Sequence, residues 1–93
     1  MIRSFADHET ERVWLGGRSR RLPQSIQASA IRRLRALDAA RRLDDLRAPP
    51  GNQLEALKHD RRGQHSVRIN QQWRICFRWR DGHCEDVEIC DYH

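Results

Sequence analysis

The most regular pattern of the chain lies near its end. Trp73, Ile75, Phe77 and Trp79 alternate with Arg74, Arg78 and Arg80, so a strand over residues 72–80 has one apolar and one basic face. Asp81-Gly82 then supplies the chemistry of a tight hairpin, and the return run through Val87 and Ile89 predicts a partner strand over residues 83–90. Two earlier runs, residues 54–57 and 64–69, predict further strands, bounded by Asp60-Arg61-Arg62-Gly63 and Asn70-Gln71. The two later separators are short enough for hairpins, so the last three strands form an antiparallel meander.

Upstream the period changes. Ile26, Ala30, Leu34 and Leu37 recur at helical spacing, with Ile31 widening the stripe, while Arg32, Arg33, Arg35, Arg41 and Arg42 lie mostly off it. This predicts a helix with Pro23 as its first residue, one face packed and the other basic. Asp7 can cap a shorter helix from His8 to Leu15, ended by Gly16-Gly17, and residues 1–5 can form an opening strand. Residues 43–52, with Ala48-Pro49-Pro50-Gly51, cannot continue a helix and read as a connector.

The order strand, two helices, four strands predicts an α+β domain. Its N-terminal strand and two helices pack on one face of a mainly antiparallel sheet. Val67, Ile69, Trp73, Ile75, Phe77, Trp79, Val87 and Ile89 then face inward, and Arg68, Arg74, Arg78, Glu88 and Cys90 face away. At 93 residues this is one domain, residues 1–93, burying about two-thirds of the surface that its unfolded chain exposes.

Charge sharpens the picture. Lys and Arg number 18 against 13 Asp and Glu, for a net charge of +5 and a pI near 10.1, which points to a polyanionic partner or an anionic surface. No apolar run is long enough to span a bilayer and no secretory signal opens the chain, so a cytoplasmic protein without a membrane partner is expected. Cys76, Cys84 and Cys90 are odd in number and lack paired short spacing, which predicts small buried thiols and neither a disulfide framework nor a metal site. All the other cations being arginine, the single lysine, Lys58, marks a place where a compact ammonium serves better than a planar fork.

Cutting a phosphodiester in RNA without a metal needs one group to take the 2′-hydroxyl proton, one to protonate the leaving 5′-oxygen, and cations for the charge growing on phosphorus. Lys58 and Arg74 can supply the charge. Asp91 and His93 can carry protons, Tyr92 can stack on a base, and Glu55 is a further acid–base candidate on the strand leading into Lys58. Arg68, Arg78, Arg18, Arg20 and Arg21 are candidate RNA contacts. Each also has a structural reading: Arg74 as a surface strand arginine, residues 91–93 as a frayed end, Glu55 and Lys58 as solvated charges. His8, His59, His65 and His83 have no ligand-like spacing and are assigned surface or structural roles.

Taken together, Leu54-Glu55-Ala56-Leu57-Lys58, His65-Ser66-Val67-Arg68-Ile69-Asn70, Gln72-Trp73-Arg74-Ile75-Cys76-Phe77 and Val87-Glu88-Ile89-Cys90-Asp91-Tyr92-His93 resemble the HigB toxins, the plasmid maintenance system killer branch of the RelE/ParE toxin superfamily. The resemblance runs the full length of the chain. It implies a RelE-like domain and a type II toxin neutralised by a helix-turn-helix antitoxin of the HigA type, with operator DNA met only through that antitoxin. It also implies entry into the ribosomal A site and cleavage of bound mRNA with the 2′-hydroxyl as nucleophile and no cofactor. The family roles fall on Lys58, Arg74, Asp91, Tyr92 and His93. Some HigB proteins carry a catalytic histidine where this chain has Glu55, so either Glu55 takes over that role or the acid–base work rests on Asp91 and His93. Two other readings stand beside this one: a ParE-like inhibitor of DNA gyrase, which needs no catalytic residues, and a degenerate, non-toxic partner of the antitoxin.

Overall fold

In the computed structural model, which describes residues 1–91, two helices cover one face of a four-stranded antiparallel sheet. The helices are α1 (His8–Trp14) and α2 (Gln24–Ala39). The strands lie side by side in chain order: β1 (Glu55–Ala56), β2 (His65–Arg68), β3 (Trp73–Arg80) and β4 (His83–Asp91). This is the expected α+β arrangement with its meander.

Helix α1 begins where Asp7, in extended backbone, accepts a 2.7 Å hydrogen bond from the Thr10 amide, satisfying a donor that the first turn leaves open. It ends where Gly16 turns to φ +91 and the Gly17 amide reaches back to the Arg12 carbonyl at 2.9 Å. Thr10 is fully buried, and its hydroxyl accepts from the Ile89 amide at 2.9 Å, so α1 is pinned to the outer edge of β4. Asp7→Ala is therefore expected to cost about 1 kcal/mol and to lower the melting temperature by about 4–8 °C, readable by thermal unfolding.

The predicted stripe of α2 is the buried one: Ile26, Ala30, Leu34 and Leu37 pack on the sheet with Val67, Ile75, Phe77, Val87 and Ile89. Pro23 stands just before the helix instead of opening it. Trp73 and Trp79, expected inside, are only half-buried and close the two ends of the core.

Three expectations are corrected or refined. Residues 1–5 form no continuous strand; Ile2 and Phe5 make two isolated parallel bridges, to Cys84 and Val87. The cause lies in β4, where the register with β3 slips by one residue between Cys76 and Arg78, and Asp86 takes up the extra residue at φ +53. This bulge brings Cys84 and Val87, three apart, to the same core, and the Asp86 amide takes the Ser4 hydroxyl at 2.9 Å as its partner. Second, the connector over residues 43–52, which as expected does not continue the helix, carries structure of its own as two 3-10 turns, Leu43–Arg47 and Pro50–Asn52, the second opened by a proline that this tighter turn tolerates. Leu46 plugs into the core from the first turn. Asn52 is buried and donates to the Leu46 and Ala48 carbonyls at 3.2 and 3.0 Å. Third, the sheet face opposite the helices is not simply a charged one. Leu57, Cys76 and Cys90 form a small apolar cluster there, and Arg74 is buried beside it.

Candidate active site

On that second face, register places Glu55 of β1 opposite Ser66 of β2 and Ser66 opposite Cys76 of β3, with Arg68 opposite Arg74 at the next step. Two arginines directly across a ladder repel. They separate by turning apart: Arg68 Nε donates to the Asn70 carbonyl at 3.1 Å, while Arg74 leans back toward β1. There Nε donates to the Ser66 hydroxyl at 2.6 Å, and Nη2 donates to the Gln53 carbonyl at 2.5 Å and to the Ser66 carbonyl at 3.4 Å. Arg74 is thus 7% exposed, not a solvated strand arginine, and its charge is tolerated because fixed acceptors surround it.

The remaining corner of that fork, Nη1, lies 4.0 Å from the Glu55 carboxylate. Gln53, Glu55, Arg68, Asn70, Gln71 and Arg74 enclose an open cleft of about 350 Å³. Gln53 contributes through an unusual backbone: it stands in the left-handed region at φ 44, next to buried Asn52, and this aims its carbonyl at Arg74. Among the described residues Arg68 makes no ion pair, so its guanidinium is available to an anion. Its own carbonyl accepts from Arg33 Nε at 3.0 Å, so one of the helix arginines expected at the surface instead braces the end of β2.

The structure brings Glu55, Arg68 and Arg74 together and leaves others apart. Lys58 is exposed just after β1, at the start of the turn His59–Arg61, and does not line the cleft. Asp91 ends β4 opposite Trp73 and accepts from the Gln72 side chain at 2.9 Å. Tyr92 and His93 lie outside the described residues. Arg78 sits further along β3, 3.6 Å from Asp86 and against Gly63. Arg18, Arg20 and Arg21 flank buried Ser19, whose hydroxyl takes the Arg21 and Leu22 amides at 3.1 Å each and donates to Glu9 at 2.6 Å. That bond holds the Glu9 carboxyl below its usual range. These three arginines are exposed but belong to the helix end of the molecule.

Ser66, Gln53, Asn70 and Gln71 escaped the sequence reading. Ser66 could have been found, because period-two alternation puts it on the same face as Arg68 and Arg74. The Gln53 carbonyl left no trace, since it acts through backbone shape.

The cysteines are free and buried, as expected. Burial pushes the Cys84 thiol up to about 12. On the site face Cys76 is drawn below the ordinary thiol range by the hydrogen bond with Cys90 and by the nearby Arg61 cation, against its burial, while that same bond and burial push Cys90 up. His65 stacks on Phe77 at 6.2 Å on the core side, where burial, helped by Arg47, lowers its pKa and favours the neutral ring. Among the described residues no group of three His, Cys, Asp or Glu side chains is placed to hold a metal ion, and no helix is long and apolar enough to cross a membrane.

Residues 3–93 match the family of HigB-like toxins, described as the RelE-like toxin of the type II toxin–antitoxin system HigB. The chain is 46% identical over 83 residues to Toxin HigB-1 of Vibrio cholerae, covering 88% of this chain and 87% of that protein. It is 26% identical over 69 residues to an uncharacterized protein of Haemophilus influenzae, covering 74% and 68% of the two. The fold is similar to that of a chain in the YoeB-YefM complex from Staphylococcus aureus, with a TM-score of 0.63 and 19% identity over 100% of this chain and 98% of that one. The chain belongs to the HigB-like family, the RelE-like toxins of type II toxin–antitoxin systems.

Proposed function

We propose that this toxin is a ribosome-dependent mRNA endonuclease acting in the cytoplasm as a single-domain protein. The observation that carries the reading is the cleft itself: a buried, rigidly held arginine fork, a second arginine that makes no ion pair among the described residues, and a carboxylate 4.0 Å from the fork. A phosphate entering the cleft meets Arg74 Nη1 and Arg68 and displaces Glu55 as the partner of Arg74. The two cations then counter the charge that grows on phosphorus as the 2′-oxygen attacks. Attack forms the bond from the 2′-oxygen to phosphorus and breaks the bond to the 5′-oxygen, leaving a 2′,3′-cyclic phosphate and a 5′-hydroxyl. One proton leaves the 2′-hydroxyl and one reaches the departing 5′-oxygen. Glu55, beside the cleft, and Asp91 with His93 are the groups assigned to these transfers. Lys58 adds positive charge at the rim and Tyr92 a stacking surface.

Arg18, Arg20, Arg21 and Arg78 lie outside the cleft and are assigned to ribosomal RNA, so affinity for the ribosome falls steeply with salt. A helix-turn-helix antitoxin of the HigA type neutralises the toxin, and operator DNA is reached through that antitoxin alone.

The test is mapping of mRNA 5′ ends after incubation with the purified toxin, comparing mRNA programmed on ribosomes with the same mRNA free. Cuts confined to the translated frame of ribosome-bound mRNA are expected. Whole mRNA with DNA breaks in arrested cells would replace this reading with gyrase inhibition, and growth without arrest would replace it with a non-toxic partner of the antitoxin.

A further inference from the structure

We infer that Ser66 is a positioning residue, whose hydroxyl sets the orientation of the Arg74 guanidinium and thereby which of its edges meets substrate. This rests on the reading of Arg74 as the cation that binds the scissile phosphate.

Ser66 has no exposed surface and lies at the centre of the sheet, bracketed by Glu55 on β1 and Cys76 on β3. A hydroxyl there is costly unless it is bonded. The partner that accounts for it is Arg74 Nε at 2.6 Å.

The donor inventory of the fork shows what that bond decides. A guanidinium has five N–H groups. The Nε group is taken by the Ser66 hydroxyl and those of Nη2 by the Gln53 and Ser66 carbonyls. Among the described residues the two on Nη1 take no hydrogen-bond acceptor, on the corner nearest Glu55 and the cleft. Two carbonyls alone leave the plane of the fork free to swing about Nη2. The hydroxyl is the third point that stops this swing, and with it the Nη1 edge is set before substrate arrives.

Two readouts on the full-length toxin test this. In the free protein, the Arg74 Nε–H followed by ¹⁵N NMR is expected to exchange slowly with solvent, at least about tenfold faster in Ser66→Ala, and slowly again in Ser66→Thr, which restores the hydroxyl. With ribosome-bound mRNA, Ser66→Ala is expected to lower kcat by about 10–100-fold while KM changes by less than about threefold, and Ser66→Thr to recover most of the loss. Unchanged exchange and unchanged kcat in a folded Ser66→Ala protein would overturn the inference. So would a folded Ser66→Thr protein that recovers neither, which decides the matter if the alanine variant unfolds. A wild-type protein that cuts no mRNA would remove the endonuclease reading, and the exchange measurement would still decide whether Ser66 orients Arg74.

Discussion

Alanine at Arg74 is expected to lower ribosome-dependent mRNA cleavage by at least about 10²–10³-fold, the usual consequence of losing one preorganised group that stabilises charge in a transition state. The loss should fall on kcat more than on KM, because Arg68 stays in the cleft to hold the phosphate while the fork that follows the growing charge is gone. Lysine should restore little. It has no Nε–H to meet the Ser66 hydroxyl, and a single ammonium cannot occupy the Gln53 carbonyl and still face the cleft. The measurement is single-turnover cleavage of ribosome-bound message. A lysine variant within a few-fold of wild type would show that charge alone matters and that the hydrogen-bonded cradle does not.

The second large effect concerns stability. Phe77→Ala is expected to destabilise the fold by about 3–5 kcal/mol, against a total of about 5–15 kcal/mol for a small domain. Phe77 is completely buried in the longest hairpin, stacked on His65 and packed in the core with the stripe of α2. It also stands where β4 bulges, opposite a stretch whose backbone has no regular ladder to fall back on. A urea titration followed by circular dichroism reads the loss as a lower midpoint, and Phe77→Leu, which keeps most of the volume, should cost less than about 1.5 kcal/mol.

Much of the fold was legible because its signals are local. Alternation over β3, the Asp81-Gly82 turn and the stripe of α2 each depend on neighbours within a few residues, and each element is found where the pattern puts it. What escaped is non-local. The bulge at Asp86 has no signature in a chain of alternating residues, yet it decides that Cys84 joins the core and that the opening residues pair at two points only. The burial of Arg74 escaped for a like reason. An arginine between tryptophan and isoleucine reads as an outward side chain until a serine eight residues earlier and a carbonyl twenty-one residues earlier are known to receive it. The candidate site was legible as a set of residue types, and the cleft kept Glu55, Arg68 and Arg74 while Lys58 lay outside its lining.

The N-terminal arm has a bearing on the order in which the domain folds. The amides of Arg3 and Ala6 bond to the carbonyls of Cys84 and Val87, and those two residues return their own amides to Met1 and Ser4. Residues 1–6 therefore find their partners far along the sequence, in β4. Contacts of such long sequence separation close late in folding, since the loop between them must be ordered first. Until β4 is in place the arm and α1 have no edge to dock against, and the sheet bearing Arg74 stays incomplete.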